Sequence, residues 1–365
     1  MISKQLFIII LTISLTVISV AVAADPQCID NNGSPVDWWV IYKRPALKDQ
    51  PRITPYYKGF GYTYADANSQ TLNEVTNSYV NESKALTLTL APLYQSKSQY
   101  LWLEYNDQPP NISVSTTYAH AKGALSFGNT TGFWLIHSVP NFPPDPKIAD
   151  YSYPWSGTVN GQTFFCVTYK STQFESIINQ LYINRVYVYS SQVPKSTTLS
   201  TTQLSDMLGG GYQADATGHQ TELTSNGGVA IKSYAKNTKW NNDLYQYLVQ
   251  PSLGQAMVVQ SWRNGANDTL MPSFCKSTLG GNYTYDSMNI IDQQVNLTGG
   301  VLLDWDYTID HKKKKEEKVE TFRIYADVGI RNELLDVIKS IKKQQQQQQQ
   351  GNKDNPEECK VHELF

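Results

Sequence analysis

The segment YAHAKGALSFGNTTGFWLIHSVPNFPP, residues 118–144, is the most informative part of this chain. It begins with a His-x-Lys pair, His120 and Lys122, and continues into an apolar run that carries a second histidine, His137. Two residues separated by one position on a strand point to the same face. The pattern therefore predicts a strand on which an imidazole lies beside a fixed positive charge. This pairing suits phosphodiester cleavage without a metal ion.

Strand-forming sequences dominate the rest of the chain. Its 365 residues include 24 tyrosines and 8 tryptophans, and aromatic and β-branched residues favour strands. Short apolar runs bounded by turn residues predict strands at 85–94, 100–105, 132–139, 163–169, 183–189 and 257–262. Apolar residues at helical spacing predict helices at 174–182, 242–250 and 331–343. We expect an α/β protein with sheets at the centre and helices packed outside.

The histidines do not predict a metal centre. They stand at positions 120, 137, 219, 311 and 362, and none has the His-x3-His or Cys/His spacing of a zinc site. The glycine run 209–211 lacks the lysine and the spacing of a phosphate-binding loop. The sequence therefore calls for no cofactor, and we expect catalysis to depend on side chains.

The first 23 residues resemble a secretory signal peptide. Lys4 precedes an apolar run that ends at Val22, and Ala-Val-Ala at 21–23 forms a small-residue cleavage site. A retained signal anchor is the alternative, because the apolar run is long. No second apolar span follows, so we expect the mature chain, residues 24–365, to be soluble and to have no membrane contact. The glutamine run 344–350 is predicted to be a flexible surface insertion.

Glycosylation and disulfide patterns agree with a secretory route. Asn-x-Ser/Thr sequons begin at Asn81, Asn111, Asn129, Asn267, Asn282 and Asn296, and a less favourable one at Asn32 is followed by proline. We expect Asn129 to lie in a turn that faces solvent. The four cysteines, Cys28, Cys166, Cys275 and Cys359, predict two disulfides, and the sequence leaves three connectivities open.

Several blocks of sequence together resemble the deoxyribonuclease II family of acid endonucleases. These blocks are VDWWVIYKRP from Val36, YNDQPP from Tyr105, AHAKG from Ala119, FWLIHSVPNFPP from Phe133, GQTFFCV from Gly161, YAKNTKWNNDLY from Tyr234 and DHKK from Asp310. They extend over nearly the whole mature chain. The HSVPNFPP block is specific, whereas a His-x-Lys triplet alone recurs by chance.

The resemblance implies a phospholipase D-like pseudodimer with central β-sheets flanked by helices. Each half, about 24–195 and 196–365, would contribute one His-x-Lys motif, and the second motif would be His311 with Lys313. Because both halves lie in one chain, a monomer would suffice, and a homodimer is also compatible. The resemblance further implies that Cys28 pairs with Cys166 and that Cys275 pairs with Cys359.

The resemblance also implies a mechanism for cleaving double-stranded DNA. One imidazole attacks phosphorus to form a phosphohistidine, the other protonates the 5′ oxygen, and water then releases a 3′-phosphate. We assign His120 as the nucleophile and His311 as the acid, with the reverse order open, while Lys122 and Lys313 hold the phosphate. One imidazole must be neutral and the other protonated, and the formal charge of −2 at pH 7 repels DNA. We therefore expect activity in acid, in a lysosome or outside the cell.

The second motif is the less certain of the two, because His311 is followed by four consecutive lysines, 312–315. A lysine two positions after the histidine is then guaranteed, and a solvated charge run is the alternative interpretation. Asp310 precedes the histidine as the family pattern expects. In the first motif, no acidic residue follows Lys122 at the spacing of phospholipase D relatives, so the group that orients His120 has to come from elsewhere.

Other residues have two open roles each. His137 is either a hydrogen-bonded core histidine or a supporting residue of the site. Asn141 is a further candidate for site support. Lys236 and Lys239 either contact the DNA backbone or belong to an exposed turn.

Three functions remain open from the sequence. The preferred one is a secreted or lysosomal acid endodeoxyribonuclease, carried by the family blocks and by His120 and Lys122. The second is a catalytically impaired relative that binds nucleic acid, which the lysine-rich surroundings of His311 suggest. The third is a structural secreted glycoprotein, suggested by the sequons and the aromatic strands.

Overall fold

The computed structural model describes residues 24–46, 57–259, 284, 287–289, 292–297 and 301–306. The strands are β1 (Cys28–Ile29), β2 (Pro35–Val36), β3 (Trp38–Lys43), β4 (Tyr62–Asp66), β5 (Ser69–Glu74), β6 (Leu101–Asn106), β7 (Lys122–Phe127), β8 (Thr131–His137), β9 (Gln162–Lys170), β10 (Val188–Gln192), β11 (Gly218–Thr224), β12 (Ala230–Lys236), β13 (Met257–Val259), β14 (Ser287–Asn289), β15 (Asp292–Leu297) and β16 (Val301–Asp306). The helices are α1 (Ala85–Gln95), α2 (Ser156–Val159), α3 (Phe174–Asn184), α4 (Thr202–Leu208) and α5 (Gln250–Leu253).

An eight-stranded antiparallel sheet forms the centre of the described chain. Its strand order is β10-β6-β7-β8-β9-β3-β4-β5. Every residue of β6 and β7 is buried, so both faces of the sheet are covered, and this explains why these strands are not alternately polar and apolar. The predicted mixed α/β architecture, with a central sheet flanked by helices, is confirmed.

One face of the sheet packs against α3, α4 and the β11–β12 hairpin. Leu103 and Leu125 of the sheet share a core with Ile178 and Leu181 of α3. The outer elements add Leu204, Met207, Leu223 and Ile231 to this core. The helix predicted at 174–182 is confirmed, because its apolar residues recur at the spacing that lets one helix face cover a sheet.

The opposite face packs against α1 and contains the disulfide between Cys28 and Cys166, whose Cα atoms are 6.0 Å apart. This bond links β1 to β9, the strand at the middle of the core. The pairing that the family resemblance implied for these two cysteines is therefore present. Cys275 and Cys359 lie outside the described residues.

Residues 85–94 belong to α1, so the strand predicted there was wrong. The alternation of leucine and threonine in ALTLTLAPLY imitates the period of a strand with one buried face. In the structure, the buried positions of α1 are Ala85, Leu86, Thr89, Leu90 and Leu93, which follow helical spacing. Tertiary packing decides the outcome, because the helix turns leucines 86, 90 and 93 toward the sheet.

The strand predicted at 183–189 was also wrong in its first part. Ile183 and Asn184 end α3, and β10 begins only at Val188. The helix stops because Arg185 adopts a left-handed conformation, with φ of 60°. This position usually carries glycine, so the sequence lacked the ordinary signal for a helix end.

The remaining predicted elements are confirmed where the structure describes them. The strands at 100–105, 132–139 and 163–169 correspond to β6, β8 and β9. The helix at 242–250 corresponds to a π-helical turn, Tyr245–Val249, that continues into α5. The strand at 257–262 begins as β13, and its last three residues lie outside the described chain, as does the helix predicted at 331–343.

The sequons that the structure describes lie on the surface where side-chain exposure is known. Asn81, Asn111 and Asn129 are exposed, which confirms the solvent-facing turn expected at Asn129. Asn296 lies in β15, whereas Asn267 and Asn282 are outside the described residues. Within the described ranges, no helix combines the length and the apolar character needed to cross a bilayer.

Replacing Leu90 with alanine tests the packing of α1 on the sheet. Leu90 is fully buried, and truncating such a leucine costs roughly 2–5 kcal/mol of unfolding free energy because a cavity remains. Leu88 lies on the same helix but is only half-buried, so Leu88→Ala should cost clearly less. Urea unfolding of the two variants measures the difference, and equal losses would contradict this orientation of α1.

Candidate active site

One end of the central sheet carries a row of buried polar side chains. Asn106, Lys122 and His137 are consecutive cross-strand partners in β6, β7 and β8, and directly opposed residues share one face. Gln162 of β9 and Lys43 of β3 pair with each other at the same end of the sheet, two positions from Phe164, the residue of β9 that pairs with His137. All five residues are at most 2 % exposed. Because both faces of the sheet are covered, these groups depend on partners within the protein.

His120 lies just before β7, which begins at Lys122. The prediction that both residues occupy one strand was therefore wrong. The N–H of Ala121 donates to the carbonyl of Ala119 at 2.8 Å, which makes His120 the central residue of a tight turn of the kind common at strand ends. The turn changes the direction of the imidazole, so strand periodicity does not place it.

The side chains of His120 and Lys122 nevertheless meet at one carboxylate, Asp107, which follows β6. Its Oδ1 accepts a hydrogen bond from Nζ of Lys122 at 2.8 Å, and its Oδ2 lies 3.9 Å from Nε2 of His120. The side chain of His120 is 63 % exposed and that of Lys122 is 1 % exposed. The imidazole therefore faces the open side of this site, and the ammonium lies beneath it.

Asn106 holds the segment that carries Asp107. Its side-chain amide donates to the carbonyls of Val139 at 3.2 Å and Phe142 at 2.9 Å, and its Oδ1 accepts from the N–H of Gln108 at 2.7 Å. These bonds join the YNDQPP block to the HSVPNFPP block. They show why two blocks that are distant in sequence form one structural unit.

Asn141 reinforces the same connection from the other side. Its backbone N–H donates to the carbonyl of Gln108 at 2.8 Å, and its side-chain amide donates to the carbonyl of Pro109 at 3.3 Å. The residue has a φ of 59°, a left-handed conformation that asparagine tolerates better than most residues. Asn141 thus acts on the loop that holds Asp107.

His137 lies within the core, packed against the rings of Phe142 and Phe164 at centroid distances of 5.3 and 5.9 Å. Its Nδ1 accepts from the N–H of Val139 at 3.2 Å, which assigns the ring proton to Nε2. Burial, and then the positive charge of Lys122, hold the pKa of His137 well below its usual value. His137 is therefore a neutral core histidine behind Lys122, without access to a phosphate in this structure.

Lys43, at the other end of the polar row, was not recognised from the sequence. Its Nζ donates to the carbonyls of Thr158 at 3.1 Å and Asn160 at 2.5 Å. Burial holds the pKa of Lys43 well below its usual value. Its two bonds attach the loop that contains α2 to the end of β3, which is a structural role.

The predicted DNA-contacting lysines lie on the β11–β12 hairpin and the turn after it. Nζ of Lys236 donates to the carbonyl of Asn242 at 2.8 Å and lies 5.7 Å from the ring centroid of Trp240. Lys239 occupies the short 3-10 helix Thr238–Trp240. His219, on the same hairpin, hydrogen-bonds with Gln180 of α3 at 2.7 Å, so it is held within this layer.

The second predicted motif, Asp310, His311 and Lys313, lies outside the described residues. In the part of the chain that the structure describes, no group of three or more His, Cys, Asp and Glu side chains is arranged to hold a metal ion.

Comparison with known proteins decides the family. The profile of the deoxyribonuclease II family matches residues 27–322. The chain belongs to the deoxyribonuclease II family. The match includes both predicted His-x-Lys motifs and the blocks that hold Asp107, so the site described above is part of the family region.

Individual known proteins are similar to this chain over most of their length. The chain is 33 % identical over 305 residues to Plancitoxin-1 of Acanthaster planci, covering 82 % of this chain and 81 % of that protein. It is 33 % identical over 316 residues to Deoxyribonuclease-2 of Caenorhabditis elegans, covering 79 % and 80 %. It is 34 % identical over 293 residues to Deoxyribonuclease-2-alpha of Mus musculus, covering 79 % of each. The prediction of an endodeoxyribonuclease of this type is confirmed.

Sequence reasoning missed Asp107 and Asn106, although both lie in the YNDQPP block. No acidic residue follows Lys122 at the spacing of phospholipase D relatives, and the sequence did not show where the orienting group comes from; the structure places Asp107 there, directly after β6. The pairing of β6 with β7 brings Asn106 opposite Lys122. The available signal was the block itself, because a conspicuous Asn-Asp pair ends a predicted strand there.

Replacing His137 with glutamine tests its buried neutral state. Below about pH 6.5 the unfolded chain binds a proton that folded His137 resists, so the free energy of unfolding falls as the pH decreases, by at most about 1.4 kcal/mol per pH unit. His137→Gln removes this contribution. Urea unfolding of both proteins between about pH 4.5 and 7.5 should show the wild type losing stability relative to the variant in acid. A pH-independent difference would contradict the assignment.

Proposed function

We propose that the mature chain is a metal-independent acid endonuclease that hydrolyses double-stranded DNA to 3′-phosphate products. The observation that supports this most directly is the meeting of His120 and Lys122 at Asp107. An exposed imidazole beside a lysine ammonium offers a nucleophile and a positive charge for a phosphate. Family membership supports a DNA substrate, since relatives along most of the chain are named deoxyribonucleases.

The proposed reaction has two steps. A ring nitrogen of His120 attacks phosphorus, a nitrogen–phosphorus bond forms, and the bond from phosphorus to the 5′ oxygen breaks as His311 donates a proton to that oxygen. Water then hydrolyses the phosphohistidine, leaving a 3′-phosphate and restoring both histidines. Lys122, from beneath the site, and Lys313 offset the charge on the nonbridging oxygens. The reverse assignment of the two histidines remains an alternative.

Acid conditions suit this reaction for two reasons. The mechanism needs one neutral and one protonated imidazole, which coexist most readily near the pKa of histidine, about 6.5. The formal net charge of the whole chain is −2 at pH 7 with neutral histidines, and protonation reduces its repulsion of DNA. We therefore place the enzyme in the secretory pathway, acting in the lysosome or outside the cell.

The end of α3 connects the proposed site to basic residues that suit a DNA backbone. The carbonyl of Arg185 accepts from the N–H of Ala119 at 3.1 Å, beside His120, and Oδ1 of Asn184 accepts from the N–H of Lys236 at 3.1 Å. Lys236 therefore lies on the side of the molecule where the His120 turn is found. We propose that Lys236 and Lys239 contact phosphates on either side of the cleaved bond.

The proposed architecture places one motif in each half of a phospholipase D-like pseudodimer, residues about 24–195 and 196–365. Residues 1–23 would be removed as a signal peptide, and the glutamine run 344–350 would be a surface insertion. The pseudodimer supplies both histidines from one chain, so a monomer is sufficient, and a homodimer remains compatible. Asp310 would support His311, and Cys275 would pair with Cys359.

A catalytically impaired relative that binds nucleic acid is the second candidate. The lysine run 312–315 favours it, because the second motif departs from the family pattern there. Retained DNA binding without cleavage at any pH would support this candidate. A structural glycoprotein would show neither binding nor cleavage.

Plasmid cleavage by the secreted protein tests the proposed function. In excess EDTA, across about pH 4 to 8, we expect cleavage with an acidic optimum. His120→Ala should abolish it through loss of the nucleophile, and His311→Ala should reduce it by about 10²- to 10⁴-fold through loss of the acid. His219→Ala, which removes a histidine of the hairpin, is the control and should cleave normally.

Each contrary result has a distinct meaning. Activity that survives His311→Ala would remove that residue from the site. Activity that requires a divalent metal would contradict the two-histidine mechanism.

A further inference from the structure

We propose that Asp107 is a positioning residue that fixes the ammonium of Lys122 relative to the imidazole of His120. This inference deepens the proposed function and rests on it. The two oxygens of Asp107 face the two groups separately, at 2.8 Å from Nζ of Lys122 and 3.9 Å from Nε2 of His120. One carboxylate therefore sets the spacing between the candidate nucleophile and the candidate phosphate-binding charge.

The surroundings of Asp107 are built to hold it in place. Its side chain is 19 % exposed, and the residues before and after it are hydrogen-bonded, Asn106 to Val139 and Phe142, and Gln108 to Asn106 and Asn141. A lysine side chain that is 1 % exposed needs a nearby opposite charge. Asp107 supplies this negative charge, and the same carboxylate faces His120.

Kinetics of Asp107→Asn on plasmid DNA test this role. The amide keeps the shape but not the charge, so we expect kcat to fall on the order of 10- to 100-fold through misplacement of the reacting groups, with KM little changed. Asp107→Glu, which restores the charge, should recover part of the loss. Asp215→Asn, which removes an exposed carboxylate, is the matched control for net charge and should leave kcat unchanged.

Thermal unfolding of the same variants separates positioning from folding. The proposal would be overturned if Asp107→Asn kept the wild-type kcat, or if its activity fell no further than the fraction of folded protein falls. If Asp107→Asn is not secreted in folded form, Asp107→Glu is measured in its place. Its carboxylate is shifted by one methylene group, so kcat should fall. A wild-type kcat in Asp107→Glu would then overturn the proposal. Absence of cleavage by the wild type would instead overturn the nuclease proposal itself.

A second inference comes independently from Glu104, a fully buried residue of β6, the strand next to the edge strand β10 of the central sheet. It lies on β6 opposite Ser190 of β10, whose hydroxyl donates to Asp145 at 2.6 Å. Neither carboxyl oxygen of Glu104 completes a hydrogen bond with a described residue. A buried ionised carboxylate in this setting would be very costly.

The groups that face Glu104 favour its protonated form. The Tyr189 hydroxyl of β10 lies against it but donates its own proton to the carbonyl of Pro143 at 2.6 Å, so its oxygen is left to accept. Tyr94 of α1 donates to the carbonyl of Pro144 at 2.6 Å. Burial and the Asp145 carboxylate hold the pKa of Glu104 well above its usual value, and the Tyr189 hydroxyl and Lys147 oppose this only partly.

We infer that Glu104 is buried as a neutral acid beside Tyr189 and Tyr94, whose hydroxyls hold the Pro143–Pro144 segment. The same segment continues from Phe142, whose carbonyl binds Asn106 beneath the His120 site. Because the folded state retains this proton more strongly than the unfolded state, the stabilisation is complete below about pH 4.5 and is lost as the pH rises. The contribution of Glu104 to the stability of this region is thus largest in acid.

Urea unfolding of wild type and Glu104→Gln between about pH 4.5 and 7.5 tests whether Glu104 is buried in its neutral form. Glutamine is neutral at every pH, so the wild type should lose stability relative to the variant as the pH rises. Glu222→Gln, at an exposed position of β11, is the matched control and should show no such trend. A difference between wild type and Glu104→Gln that does not vary with pH would overturn the inference.

Infrared spectroscopy of the wild type gives a test that needs no variant. At about pH 6, ordinary carboxyl groups are ionised, so a carboxylic acid carbonyl band that persists there would support a neutral buried acid. Its absence would overturn the assignment of Glu104.

Discussion

The buried ammonium of Lys122 is the constraint on which the site depends. A charge enclosed by a sheet that is covered on both faces requires a counter-ion at close range, and Asp107 provides one at 2.8 Å. Asp107 in turn lies on a segment that Asn106 attaches to the loop after β8. The YNDQPP and HSVPNFPP blocks thus form one structural unit, because the side chain of Asn106 in the first block donates hydrogen bonds to backbone carbonyls of the second.

The same sheet carries two buried titratable groups through its core. His137 and Glu104 lie on strands β8 and β6, and burial favours the neutral form of each. Their effects on stability run in opposite directions, since acid charges a histidine and discharges a carboxylate. Both buried groups therefore favour their neutral forms, and the interior need not become strongly charged between neutral and acid pH.

Predictions from the sequence were most reliable where a local pattern fits only one kind of secondary structure. The strands β6, β8 and β9 and the helix α3 agree with their predictions because strong apolar runs coincide with burial. The prediction was wrong for α1, where alternating leucine and threonine fit a strand as well as a helix. There the contact with the sheet, which lies elsewhere in the chain, selects the helix.

The sequence by itself determined the chemical groups of the site, the central strands and the family, because each is carried by residues that are close together along the chain. Only the tertiary structure decided that Asp107 serves Lys122 and His120, that His137 is enclosed in the core, and that His120 turns away from the strand. These outcomes depend on which strands pair and on what covers them. Such long-range contacts leave no period or spacing in the local sequence, whereas hydrogen bonds and burial in the folded protein specify them directly.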